Sequence, residues 1–139
     1  MRIYYIDEAL NEEELNFVKE SIANRESLKS IQSIEQIRVP CILPPFNKNG
    51  QLCQNIEKQI ELIKKNLINS GINSDQGAQV IWVMPKETHL GVKFQMAIME
   101  LTGFAPYVVQ RWFINEKEET VRGNLRVIDG HGMLGGGKD

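Results

Sequence analysis

The residues of this chain best suited to chemistry crowd into one short stretch. Lys86, Thr88, His89 and Lys93 bring donors to the start of an amphipathic segment, and Gly91 leaves its first turn uncrowded. Such a set suits a negatively charged group, held by free backbone amides together with the Lys86 ammonium and the His89 imidazole. The same residues also read as a plain turn, Pro85-Lys86-Glu87-Thr88, with Thr88 capping the helix and His89 solvated. Arg111 is the other cation of note. Flanked by Val108, Val109, Trp112 and Phe113, it either points to solvent on the polar side of a strand or enters a site near that strand's end.

Other chemistries lack their residues. No Walker sequence and no Gly-x-Gly-x-x-Gly occurs, which disfavours the usual triphosphate and dinucleotide cofactors, and no cofactor is expected. There is no nucleophile elbow and no pair of histidines at ligand spacing, and His131 lies in a glycine-rich tail. Cys41 and Cys53 are the only cysteines and have no histidine-rich partner set, so no metal site is expected and both read as reduced thiols. Trp82 sits in a buried strand, where its job is packing. The run Glu12-Glu13-Glu14 splays around a helix and serves capping and the helix dipole.

The elements that position these residues follow from periodicity. Arg2–Ile6 reads as a buried strand, and Asn11–Asn24 as a helix with Asn11 as cap and Glu14 in the capping-box position. Ser33–Val39 alternates as a second strand, and Cys41–Asn49 is a loop by its Pro and Asn-Gly content. Gln51–Asn69 carries a long apolar stripe and ends at Ser70-Gly71. Gln79–Met84 is nearly continuously apolar, as a strand covered on both faces should be. A third helix is expected at His89–Leu101, then strands at Pro106–Ile114 and Val121–Asp129. Met96 and Met99 lie off the main stripe of that helix, indicating deep burial or a self-association face.

Strands alternating with helices predict an α/β fold: a three-layer Rossmann-like sandwich with a mostly parallel sheet and a C-terminal edge hairpin. The 139 residues suit one domain, residues 1–129, followed by a mobile glycine-rich tail, 130–139. In such sheets ligands gather beyond the carboxyl ends of the strands. Asp7–Leu10, Pro40–Asn49 and Pro85–Gly91 all arrive there. Sixteen basic against eighteen acidic residues give a net charge of −2, so no global field draws the molecule to duplex nucleic acid or to an anionic membrane. The apolar stretch at the N-terminus is far too short for a secretory signal and no run reaches a membrane span, so a cytoplasmic protein is expected.

The stretch Val80-Ile81-Trp82-Val83-Met84-Pro85, a short polar loop, a helix, then Leu101-Thr102-Gly103-Phe104-Ala105-Pro106-Tyr107-Val108-Val109 resembles the small CRISPR-associated proteins numbered fifteen in the Csx series. The likeness covers about Val80–Ile114 and is topological before it. The polar turn Lys86-Glu87-Thr88-His89 departs from the family, where smaller residues are usual. The resemblance implies a relative of CARF domains, which bind cyclic oligoadenylate messengers of type III CRISPR defence, and several small members cleave them as ring nucleases. It implies a homodimer whose two-fold axis matches a cyclic tetra-adenylate. Cleavage would be metal-independent: a ribose 2′-hydroxyl attacks its own phosphate, with Lys86 and His89 in the catalytic role and His89 protonating the leaving oxygen. Asp7, Pro85, Lys86, Glu87, Thr88, His89, Gly91, Lys93 and Arg111 are then the ligand-binding set. Binding without cleavage, and a non-enzymatic Rossmann-like interaction module, are the alternatives.

Overall fold

The computed structural model describes residues 1–25, 34–40, 56–74 and 80–129. Among these residues, five strands and three helices alternate as β1 (Arg2–Tyr5), α1 (Glu12–Arg25), β2 (Glu35–Arg38), α2 (Ile56–Asn69), β3 (Val80–Val83), α3 (Thr88–Thr102), β4 (Tyr107–Ile114) and β5 (Thr120–Asp129). Each expected element within the described residues is present, with ends moved by a residue or two. Cys41, Cys53, His131, the Cys41–Asn49 loop, the first residues of the expected Gln51–Asn69 helix and the tail lie outside the described residues.

Local chemistry sets the helix ends. The Asn11 side chain accepts the Glu14 amide at 2.8 Å, and Glu14 Oε1 accepts the Asn11 amide at 3.1 Å, a reciprocal capping box. At the other end of α3, Gly103 adopts φ 79° and donates its amide to the Met99 carbonyl. The Thr102 hydroxyl seals the same end, donating to the Ile98 carbonyl at 2.8 Å and accepting the Phe104 amide at 3.2 Å.

One mixed sheet runs in the order β2-β1-β3-β4-β5. β1 pairs in parallel with β2 and β3, β3 pairs in parallel with β4, and β5 returns antiparallel to β4 as an edge hairpin. The architecture is α/β with a mostly parallel, Rossmann-like sheet. The chain steps outward from β1 to β2, then crosses back to β3 and continues to β4. The strand order thus reverses between β1 and β3, and in sheets of this kind ligands gather beyond the carboxyl ends at such a reversal.

Successive strand residues face opposite ways, and the core divides accordingly. Ile3, Ile81, Val83, Val109 and Val127 pack with Val18 and Ile22 of α1. Tyr4, Val80, Trp82 and Val108 pack with Ile63 and Leu67 of α2 and with Phe94, Ala97 and Ile98 of α3. Trp82 stacks on Phe94 with ring centroids 5.2 Å apart and planes 3° from parallel, while its indole N–H donates to the Gly91 carbonyl at 3.1 Å. The packing expectation for Trp82 holds. Arg25, at the end of α1, donates from Nη2 to the Val127 carbonyl of edge strand β5 at 2.8 Å. Among the described residues no helix is long and apolar enough to cross a membrane.

Candidate functional site

Asp7 follows β1 and Lys86 follows β3, so both stand where the strand order reverses. Asp7 Oδ2 accepts the Lys86 backbone amide at 3.1 Å and joins the ends of β1 and β3. The Lys86 ammonium lies over the Trp112 indole, 5.3 Å from its centroid. Among the described residues Lys86 has no carboxylate partner. Glu87, Thr88 and His89 are exposed on the same turn. The residue in the N-cap position of α3 is Glu87, and it makes no side-chain capping bond. Thr88 is instead the first residue of the helix, so its expected capping role falls to no side chain.

Gly91 has a different duty from the one its spacing suggests. A Cβ placed there would lie 2.0 Å from Met84 Sδ and 2.8 Å from Pro85 Cδ. Glycine therefore lets α3 close onto the end of β3; the space is filled by protein and not left open for a ligand. Pro85 is buried beneath this contact. Lys93 sits one turn further along α3, where its ammonium donates to Gln59 Oε1 of α2 at 2.6 Å. It ties two helices together.

Arg111 is neither solvated nor open to the rim. It is 2% exposed, and its guanidinium donates to the Glu8 carbonyl, to the Ala9 carbonyl at 3.4 Å and to Glu14 Oε1 at 3.4 Å. Arg111 faces the same side of the sheet as Val109, which packs against α1, and the β1–α1 loop and Glu14 cover it there; the register shift between Gln110 and Trp112 places the extra residues on β5. Arg111 thus fastens the β1–α1 loop to β4, through residues adjoining the Asp7 that fastens it to Lys86. Its Nε is buried and has no partner.

Three residues not singled out from the sequence complete the rim. Arg122, cross-strand partner of Trp112, places its guanidinium carbon 5.4 Å from the indole centroid. It also pairs with Glu8 Oε2 at 3.4 Å and Glu14 Oε2 at 3.2 Å. Glu14 therefore serves at once as capping-box acid and as bridge between Arg111 and Arg122. The legible signal was the hairpin itself, since residues equidistant from a short connection face each other.

Among the described residues at this rim, Lys86 has no carboxylate partner and lies over the half-buried Trp112 indole, with the exposed His89 on the same turn, while Arg38, exposed at the end of β2, donates from Nε to the Ile6 carbonyl at 3.4 Å. Among the described residues no group of three or more His, Cys, Asp or Glu is placed to hold a metal ion. A groove of about 680 Å³ along α2, lined by residues including Lys58, Ile60, Leu62, Lys65 and Glu100, includes none of the rim residues. Comparison with protein-family models, curated proteins and solved structures finds no match.

Proposed function

We propose that this chain binds a cyclic oligoadenylate, with cyclic tetra-adenylate the first candidate, across the sheet rims of a two-fold homodimer. The supporting observation is the position of Lys86 at the reversal point of the sheet, its amide held by Asp7 and its ammonium free of carboxylates. A ring of phosphates needs cations that are not already neutralised, and a two-fold pair of such rims supplies matching ones to both halves of the ligand. The buried clusters on the two sides of the sheet are what a three-layer domain of this class requires. Val92 and Met96, 40% and 44% exposed on α3, supply apolar surface for the second copy.

Within this reading Arg111 positions the β1–α1 loop, and Lys86 contacts phosphate. Cleavage requires a ribose 2′-hydroxyl to attack the adjacent phosphorus while the bond to the 5′-oxygen breaks. The 2′-oxygen gives up its proton to solvent, and the leaving 5′-oxygen receives one from His89, exposed in the first turn of α3.

Titration calorimetry with cyclic tetra-adenylate in EDTA tests binding, and chromatography of the same mixture tests cleavage. Binding weakened at least tenfold by Lys86→Glu supports the reading; absence of heat, or unchanged affinity in Lys86→Glu, overturns it. A second reading, a non-enzymatic interaction module, draws on the pairing of Arg111 and Arg122 with Glu14 and Glu8, which leaves little free positive charge on the rim. A silent titration favours that reading.

A further inference from the structure

We infer that Trp112 and Arg122 form a nucleobase subsite, with Lys86 as the cation that moves from the indole to the phosphate when the base arrives. The inference rests on the rim reading above and adds to it two residues and a division of labour. The indole of Trp112 is half-buried at the rim and carries two cations, Lys86 at 5.3 Å and Arg122 at 5.4 Å from its centroid.

These two cations are held differently. Arg122 is anchored by Glu8 and Glu14, and Glu14 is itself fixed by the capping box and Arg111, so its planar guanidinium is preorganised. Lys86 has an anchored backbone but an ammonium on a four-carbon stem that, among the described residues, has no carboxylate partner and rests over the indole. An exposed cation–π contact is weaker than base stacking on an aromatic side chain, so a nucleobase displaces the ammonium from the ring. The displaced ammonium then lies within its own tether of the nucleotide's phosphate. The anchored guanidinium stays over the indole and holds the ring in place for the base.

The two tryptophans make this measurable. Trp82 is fully buried, so acrylamide-accessible fluorescence reports Trp112. AMP should quench that accessible signal saturably, whereas ribose 5-phosphate, which lacks the base, should not. Arg122→Gln should weaken AMP quenching about five- to a hundredfold. Trp112→Leu should weaken cyclic tetra-adenylate in calorimetry by a similar factor, while Trp112→Phe, which keeps a ring, recovers most of it. Equal effects of AMP and ribose 5-phosphate, no quenching by either, or unchanged quenching in Arg122→Gln overturn the subsite. If cyclic tetra-adenylate binds Trp112→Leu as it binds the native chain, the subsite falls and the proposed function stands. If cyclic tetra-adenylate gives no heat while AMP quenches Trp112, the ring reading falls and the subsite stands.

Discussion

Replacing Arg111 with methionine separates a structural arginine from a ligand-gripping one. The side chain is 2% exposed and donates to two backbone carbonyls and one carboxylate. Removing one partner of a buried ion pair typically costs about 3–5 kcal/mol. Two features lower the figure here. Glu14 keeps Arg122 at 3.2 Å and the Asn11 amide at 3.1 Å, so its carboxylate is not stranded. The buried, unpartnered Nε of Arg111 also carries a desolvation cost that methionine lacks. A net loss of about 2–3 kcal/mol follows, which for a domain of this size lowers Tm by on the order of 5–10 °C. Urea unfolding followed by circular dichroism measures the loss, with the m-value showing whether compactness is retained. Calorimetry with cyclic tetra-adenylate on the folded variant should show a modest affinity change, because the loop is loosened and no contact is deleted. Stability within about 0.5 kcal/mol of the native chain, together with lost ligand affinity, would refute the structural assignment of Arg111.

Three other outcomes follow from the structure. Gly91→Ala should cost about 1–3 kcal/mol in urea unfolding, because its methyl group meets Met84 Sδ and Pro85 Cδ at the base of α3. Glu118 sits in the β4–β5 turn at φ 60°, so Glu118→Gly should raise stability by about 0.5–1 kcal/mol, and an unchanged Tm would argue against that turn geometry. The Lys64 ammonium donates to Glu100 and holds its proton above the usual 10.5, chiefly through that bond. This contribution is complete below pH 10.5 and disappears as pH climbs through the raised value; Glu100→Gln should bring the Lys64 titration, followed by side-chain NMR, back down.

Elements with strong local signals were legible from the residues. Asn11 and Glu14 form the capping box that their spacing announces, and Gly103 ends α3 in the left-handed region where a helix stops. Gly91 was legible as a glycine that matters but not as to why. Open space and a close helix–strand contact leave the same mark in a sequence, and only the approach of Met84 distinguishes them. Arg111 escaped because alternation gives the side of the sheet a strand residue faces but not that the β1–α1 loop and Glu14 close over it. Glu8, Trp112 and Arg122 escaped for a related reason. Each is unremarkable beside its sequence neighbours, and they meet only when the hairpin folds back beside the β1–α1 loop.

The contact between Arg25 and the Val127 carbonyl bears on how two copies of this chain can meet. A border strand with vacant carbonyls is a template on which a neighbour's strand can extend the ladder. Here the ten-residue β5 has one such acceptor occupied by a side chain from the end of α1, and the opposite border, β2, is only four residues long. Continuous sheet growth across either border is thus discouraged by a latch on one side and by brevity on the other. The homodimer proposed above would then meet through surfaces made of side chains, where geometry can be specific and the number of partners stays finite.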